Sequence, residues 1–290
     1  MDDKLSLPGG LERSFEKISP TALLTAHGRS FSDIPFASEM YIELARRKGG
    51  DTFDAGRYLA PRLESRHLLT DDALFHTGST QILEVAAGFS TRGLAWVSRN
   101  FRRGKYVEFD LPDVIETKRT VIRFIEPTAL GHLYLCRGDA LEANDMAKAA
   151  RILHPQLQRA VITEGLMMYL TQEERIKLAE NVKAALERSG GVWITSDVMI
   201  KKMLEEDEIY SPGKMERIRT ETQSDINANA FDNVGEATEF FTSLGFDVQV
   251  RYFSEVAGRL RSPARLGIDA QEVQRINRHS TVFVMRPTSN

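Results

Sequence analysis

Residues 81–92 read Gln81-Ile82-Leu83-Glu84-Val85-Ala86-Ala87-Gly88-Phe89-Ser90-Thr91-Arg92. The apolar run that begins this stretch predicts a buried strand, and the pattern from Thr91 to Phe101 predicts a helix. Between them, Gly88 permits a sharp turn. Strand, tight turn and helix in this order are typical of a βαβ unit, so the stretch predicts a parallel sheet.

The alternation of strands and helices continues to the C-terminus. Further strands are predicted at Lys105–Phe109, His132–Cys136, Ala160–Thr163, Val192–Thr195, Phe246–Tyr252 and Ser280–Met285. Pro112 suits the first turn of a helix, and Thr171-Gln172-Glu173-Glu174 is a capping box that begins another. The sequence therefore predicts an α/β fold, a three-layer sandwich with a seven-stranded, mostly parallel sheet.

The region before the sheet is helical. A helix is predicted from Phe36 to Lys48, ending at Gly49-Gly50, and a second helical stretch from Asp51 to Leu69. Pro61 interrupts that stretch or begins a new helix inside it. Arg62 and Arg66 then share one helix face, which favours an anionic partner. We predict a helical cap over residues 1–78, a sheet domain over 79–290, and a solvated helical insertion at 198–233.

Composition excludes several classes of protein. The 290 residues carry 38 Lys and Arg against 41 Asp and Glu, a net charge of −3, which argues against nucleic acid as a partner. The longest apolar stretches fall short of the ~20 residues that span a bilayer, and the first residues form no signal peptide, so we expect a cytoplasmic protein. The six histidines show no metal-binding spacing, and no Gly-x-Ser-x-Gly motif occurs, so neither a catalytic metal nor a serine hydrolase is expected.

Acidic residues finish or follow the predicted strands. Asp110 ends the second strand, Gly138-Asp139-Ala140 follows the third, and Glu164 ends the fourth. Ligands of open α/β sheets bind beyond the carboxyl ends of the strands, and an acid about twenty residues after the first turn suits a ribose diol. Either aspartate alone could be a helix cap, but together the acids favour a nucleoside-containing ligand. The turn at Ala86-Ala87-Gly88 lacks the glycines that a pyrophosphate needs.

These strand ends also carry a family resemblance. Over about residues 57–200 the sequence resembles the leucine carboxyl methyltransferase family of S-adenosylmethionine-dependent methyltransferases, which also includes polyketide O-methyltransferases. Its most specific parts are Asp110-Leu111-Pro112 and the run Glu164-Gly165-Leu166-Met167-Met168-Tyr169-Leu170. The family usually has Gly-Ala-Gly where this chain has Ala86-Ala87-Gly88.

The resemblance implies a class I methyltransferase sheet with an antiparallel C-terminal strand, S-adenosylmethionine as cofactor, and a helical cap over the substrate. It implies cofactor-binding roles for Glu84 and Gly88 in the first motif, Asp110 at the ribose, Asp139 and Ala140 at the adenine, and Glu164 after strand four. Arg62 matches the arginine that pairs with the methionine carboxylate, and Arg66, one turn away, is the alternative counterpart.

The predicted activity is transfer of a methyl group to a carboxylate or hydroxyl oxygen, with a small-molecule acceptor favoured over a protein C-terminus. His27 and Tyr169 are candidate substrate contacts, and no catalytic residue is assigned. Arg92 is interpreted as a surface helix charge. The alternatives are a non-catalytic binding protein of the same fold and, less favoured, a nicotinamide-dependent oxidoreductase.

Overall fold

A seven-stranded sheet forms the centre of the protein. In the computed structural model, which describes residues 19–48, 58–100, 104–187, 190–210 and 224–288, the strand order is β3-β2-β1-β4-β5-β7-β6. The strands are β1 (Gln81–Val85), β2 (Lys105–Asp110), β3 (Leu133–Arg137), β4 (Arg159–Thr163), β5 (Gly191–Thr195), β6 (Phe246–Tyr252) and β7 (Thr281–Pro287). The first five pair in parallel, and β7 is antiparallel to both β5 and β6. The predicted fold class and its antiparallel last strand are confirmed.

Helices cover both faces of the sheet. They are α1 (Ser19–Ser30), α2 (Ala37–Arg47), α3 (Leu59–Thr77), α4 (Arg92–Asn100), α5 (Pro112–Ile125), α6 (Ala143–Ala150), α7 (Gln172–Leu186), α8 (Lys201–Tyr210), α9 (Val234–Ser243), α10 (Ser262–Leu266) and α11 (Ala270–Asn277). Across the described ranges, no helix is both long enough and apolar enough to cross a membrane.

Two apolar cores lie on opposite faces of the sheet. Because successive strand residues point to opposite faces, β7 sends Phe283 and Met285 into one core and Val282 and Val284 into the other. The first core packs against α6, α7 and α9, with Trp193 fully buried against the rings of Phe241 and Phe246. The second packs against α3 and α4.

The helix signals that have a clear physical basis are confirmed. Pro112 occupies the first turn of α5, and Thr171 caps α7 through a capping box with Glu174. The helices α6, α10 and α11 were not predicted. They are short, at eight, five and eight residues, so each offers few turns over which an apolar period can be recognised.

The helices before the sheet fall into two groups. Helices α1 and α2 pack on each other and on α5, through a small core of Leu23, Ala26, Met40, Leu44 and Val121. Helix α3 instead reaches the sheet, where Leu69, Ala73 and Leu74 join the second core. The predicted stop at Gly49-Gly50 and the predicted start at Asp51 lie outside the described residues.

The predicted insertion is closed at its base by a short parallel bridge. Ile200 pairs with Phe231, and the Lys201 N–H donates to the Phe231 carbonyl at 2.9 Å. Residues 211–223 of this segment lie outside the described part. In the described part, Met203, Leu204 and Ile226 are buried against the first core, so the segment is anchored and is not wholly solvated.

Candidate functional site

Asp110 links the carboxyl ends of β1 and β2. Its Oδ2 accepts the Gly88 N–H at 2.6 Å and its Oδ1 accepts the Leu111 N–H at 2.7 Å. Burial raises the pKa of Asp110, and these two backbone hydrogen bonds oppose the increase. A carboxylate oxygen has two lone pairs, so each oxygen of Asp110 keeps capacity for one more donor.

The turn after β1 is held in a left-handed backbone conformation at two positions. Gly88 has φ +47°, which glycine adopts without strain, but Ala86 has φ +53°. For a residue with a Cβ atom this conformation costs about 1–2 kcal/mol. Ala86, which stands where the family usually has glycine, therefore adopts a strained backbone conformation.

Replacing Ala86 with glycine is expected to raise the free energy of unfolding by up to about 1 kcal/mol, because glycine removes the left-handed strain. Ala87, which is buried and does not have a positive φ, is the matched control. There glycine is expected to lower stability by at least about 0.5–1 kcal/mol, because the unfolded chain gains backbone entropy and a buried methyl group is lost. Urea unfolding of both variants checks the opposite signs, and equal losses at the two positions would contradict the strain argument.

The step after β3 is tightly packed. The Asp139 Oδ1 accepts the Leu141 N–H at 2.9 Å, and the Ala140 carbonyl accepts the Asn181 side-chain amide at 2.9 Å. A Cβ atom on Gly138 would lie 2.7 Å from the Phe109 ring, so only glycine fits there. Asp139 and Ala140 are thus held next to the end of β2, where the Gly138 N–H donates to the Asp110 carbonyl at 3.0 Å.

The loop after β4 is fixed by Asp197, which follows β5. The Asp197 Oδ2 accepts the backbone N–H groups of Leu166 and Met167, the latter at 2.6 Å, and Oδ1 accepts the Thr195 hydroxyl at 2.6 Å. Arg175 donates to the Met167 carbonyl from the other side at 3.1 Å. Because these bonds hold the loop, Glu164 and Gly165 are kept at the carboxyl edge of the sheet.

Three arginines converge on Glu164. Arg29 of α1 contacts Oε1, Arg66 Nε of α3 lies 3.1 Å from the same oxygen, and Arg92 Nη2 donates to Oε2 at 2.8 Å. Burial alone would raise the pKa of Glu164, but Arg66, Arg92 and Arg29 together lower it well below its ordinary value. Glu164 is therefore a carboxylate, and it joins the cap to the sheet.

Arg92 extends this cluster to two more acids. Its Nη1 donates to Glu84 Oε1 at 2.8 Å and its Nε donates to Asp71 Oδ1 at 2.6 Å. Only 3% of Arg92 is exposed, so its interpretation as a surface charge is wrong. Three arginines then face the three carboxylates of Asp71, Glu84 and Glu164. We name these six residues the arginine–carboxylate cluster.

Glu84 lies beneath the turn. Only 1% of it is exposed, and its second oxygen accepts the Tyr106 hydroxyl at 2.8 Å. Glu84 accepts a hydrogen bond from Arg92, which also donates to Glu164.

The two candidate arginines of α3 have different surroundings, although they are four residues apart. Arg62 Nη2 donates to the Ile276 carbonyl of α11 at 2.9 Å. Arg66 faces Glu164, and its terminal nitrogens have no hydrogen-bond acceptor among the described residues. The structure thus brings Arg66, and not Arg62, to the strand ends.

The two candidate substrate contacts lie in different elements. His27 of α1 packs against the rings of Phe31 and Tyr41, with centroids 5.0 and 4.7 Å away. Tyr169 lies in the loop after β4, where its carbonyl accepts the Ser224 hydroxyl of the insertion at 3.0 Å.

Space for a ligand lies next to the turn glycines. A Cβ atom on Gly165 would have no neighbour within 4 Å, and one on Gly88 would meet only the Ala86 carbonyl, at 4.0 Å. These two residues follow neighbouring strands, β1 and β4. Open space there, spare acceptor capacity on Asp110 and free donors on Arg66 together suit a ligand with a diol and a carboxylate, as S-adenosylmethionine has.

The strand order and the acids at the strand ends are those of the class I methyltransferase fold. The family model for leucine carboxyl methyltransferase matches residues 23–183. The chain therefore belongs to the leucine carboxyl methyltransferase family. This is the family that the strand ends resemble.

One solved structure shows the same fold at low sequence identity, and a second is similar over a smaller part of its length. A duf574 family protein from Streptomyces avermitilis is 13% identical, with a TM-score of 0.56 over 94% of this chain and 100% of that chain. An O-methyltransferase family protein from Burkholderia thailandensis is also 13% identical, with a TM-score of 0.48 over 80% of this chain. This chain spans only 59% of the Burkholderia protein. None of the curated proteins matches the sequence significantly.

Proposed function

We propose that the enzyme methylates a carboxylate or hydroxyl oxygen of a small molecule. The observation that carries this proposal is the cover over the strand ends. Arg29 of the cap contacts Glu164, and Ser224 of the insertion contacts the loop at Tyr169. Small molecules bind in sites that cover most of their surface, so cover from these two elements favours a small acceptor over a protein C-terminus. In this proposal the cap (1–78) and the insertion (198–233) select the acceptor and the sheet domain binds the cofactor.

The geometry of the strand ends supports the following cofactor contacts. Asp110 accepts the ribose hydroxyls with the lone pairs that Gly88 and Leu111 leave unused, while Gly88 leaves room for the ligand. Asp139 and Ala140 border the adenine. Glu84 and Glu164 support the site through the arginine–carboxylate cluster.

Arg66 binds the methionine carboxylate in this proposal. The support is its free terminal nitrogens and its position beside Glu164, where Arg62 does not reach. Glu164 holds the Arg66 guanidinium by charge attraction, with Oε1 3.1 Å from Nε, and the terminal nitrogens are left for the ligand.

The bound cofactor supplies a methyl group on a sulfonium, which is a good leaving group. The task of the protein is then to hold the acceptor oxygen in line, and positioning of this kind supplies ~7–11 kcal/mol. A carboxylate acceptor carries no proton and needs no base. A hydroxyl acceptor loses a proton when it is methylated, and His27 and Tyr169 are then the candidate bases to test by mutation.

Replacing Arg66 with methionine is expected to weaken S-adenosylmethionine binding by about 10- to 150-fold, because a hydrogen bond to a charged group contributes about 1.5–3 kcal/mol. Arg62→Met is the matched control on the same helix. It loses the bond to Ile276 and some stability, but it should keep the affinity of the wild type. Calorimetric titration of both variants decides the assignment, and a loss confined to Arg62→Met would reverse it.

The acceptor class is tested by methyl transfer from labelled S-adenosylmethionine to panels of small carboxylic acids, phenols and peptides with free C-termini. Product in either small-molecule panel, with none on the peptides, is the expected result. Turnover of the peptides alone would overturn the small-molecule proposal. Thermal shifts with S-adenosylmethionine and NADH test cofactor binding independently of the acceptor. A bound ligand at a hundredfold excess over its Kd adds ~2.7 kcal/mol of stability. A shift with S-adenosylmethionine but no product would mean that the acceptor, and not the cofactor, was wrong.

A further inference from the structure

The outer edge of β6 is an open strand edge. Strand β6 lies at the end of the sheet, and no strand of the described ranges pairs beyond it. It is seven residues long, it pairs with β7 without a bulge from Phe246 to Tyr252, and it contains neither proline nor lysine. Edge strands usually avoid pairing with other chains through short length, proline, bulges or charged side chains, above all lysine. Of these, β6 has only the charges of Asp247 and Arg251, which are opposite in sign.

Alternate residues of β6 direct their backbone groups outward. The Phe253 N–H donates to the Ser280 carbonyl, and the Thr288 N–H donates to the Gly245 carbonyl. In an antiparallel ladder every second residue bonds the same neighbour, so the odd-numbered residues face β7. The N–H and carbonyl groups of Val248 and Val250 therefore point to the open edge. The Tyr252 N–H also points outward, but Glu255 accepts it at 2.7 Å, which ends the free edge there.

The side chains of β6 would complement those of β6 in a second copy of the chain. If two copies pair antiparallel about Gln249, Asp247 of one copy lies opposite Arg251 of the other, on both sides of the axis. On the opposite face Val248 lies across from Val250. In this register the residues whose backbone groups face outward lie opposite one another, as hydrogen-bonded pairs require. Opposite charges and apolar pairs across strands both stabilise such a ladder.

The other edge strand, β3, would not complement a second copy of itself. It is five residues long, and antiparallel pairing about Leu135 would set Leu133 against Arg137. The Leu135 carbonyl also accepts the Arg119 side chain at 3.4 Å.

We propose that two copies of the chain associate through β6, with a two-fold axis at Gln249, to form one continuous sheet. Since a single strand pair is small beside the ~1,200–2,000 Å² of standard interfaces, the dimer is reversible and its population depends on protein concentration. The carboxyl-edge site of each copy is not part of this interface.

Charge substitutions test the register. Asp247→Arg and Arg251→Asp each place like charges opposite one another in a homodimer, and each should weaken self-association about tenfold or more by sedimentation. An equimolar mixture of the two single variants should dimerise as the wild type does, because every cross-strand pair is then complementary again. Val250→Pro, which removes an outward N–H and no bond to β7, should also give a monomer and provides a second route if a charge variant does not fold.

Amide exchange provides a direct readout. The Val248 and Val250 amides should gain protection as the protein concentration increases, and protection of the Gln249 amide should not change. A wild type that stays monomeric at its highest soluble concentration would overturn the proposal. So would a dimer that both single variants retain, or a mixture that fails to restore association.

Discussion

Replacing Glu164 with glutamine is expected to lower the free energy of unfolding by about 3–5 kcal/mol. The substitution keeps the shape of the side chain but removes the negative charge that Arg29, Arg66 and Arg92 share. Arg29 and Arg92 are buried, so their charges would then lack most of their compensation. Loss of one partner from a buried ion network has this large effect because the remaining charges stay desolvated.

A double-mutant cycle distinguishes this electrostatic effect from lost packing. Adding Arg29→Met to Glu164→Gln removes one of the excess positive charges, so the double variant should lose less stability than the two single variants summed. Simple additivity, measured by urea unfolding, would contradict the argument. Asp139→Asn, a charge removal at a strand end outside the arginine–carboxylate cluster, provides the matched control with a small effect.

The pH dependence of this stability has a defined sign. The pKa of Glu164 is lowered in the folded protein, so its contribution is complete above the ordinary glutamate pKa of 4.5. That contribution is lost as the pH falls below this value toward the folded pKa. The difference in stability between wild type and Glu164→Gln should therefore shrink at acid pH and stay constant around neutrality.

This structural role changes how cofactor binding should be tested. A Glu164 variant that fails to bind S-adenosylmethionine could fail because the cap and the sheet have separated. Arg66, whose terminal nitrogens lack an acceptor among the described residues, is the better probe, because Arg29 and Arg92 still compensate Glu164 when Arg66 is changed.

The fold was predictable where local chemistry determines it. The limits of β6 were predicted correctly, the helix that begins at Pro112 follows from the proline, and the start of α7 follows from its capping box. Each of these signals lies within a few neighbouring residues. The acids at the strand ends were also recognisable, because the carboxyl edge of a parallel sheet is where ligands bind.

The arginine–carboxylate cluster was not predictable in the same way. Arg92 contacts Asp71 in α3, Glu84 in β1 and Glu164 after β4, and only the folded sheet brings these elements together. From the sequence alone, an arginine in the first turn of a helix resembles any exposed charge. The sequence contains a weak indication that Asp197 belongs to the site, because it lies just after β5 as Glu164 lies just after β4.

Lys118 is another charge whose burial the sequence indicated only weakly. It lies three residues after Ile115 and four before Ile122 on the buried face of α5, and its Nζ is 2.7 Å from Glu108 Oε2 in β2. Both side chains are fully buried. Burial raises the pKa of Glu108 to about 7, even though Lys118 opposes the increase.

Replacing Lys118 with methionine is expected to lower the free energy of unfolding by about 3–5 kcal/mol at alkaline pH, because Glu108 is left as an unpaired buried charge. The loss should be smaller near pH 5, since Glu108 is then protonated. The sign follows from linkage. A carboxyl group whose pKa is raised by folding contributes most at low pH, and its contribution decreases as the pH rises through the folded pKa. Without Lys118 the pKa of Glu108 rises further, so the decrease should extend to higher pH than in the wild type.

The double variant Glu108→Leu with Lys118→Met separates pairing from packing. Replacing both members of a buried pair with apolar residues of similar size is often neutral or stabilising by about 1–4 kcal/mol. We therefore expect the double variant to be at least as stable as the wild type, and to lose the decline in stability between pH 5 and pH 8. Urea unfolding across this pH range measures both effects. A double variant as unstable as Lys118→Met alone would show that the site depends on the shape of these two side chains and not on their charges.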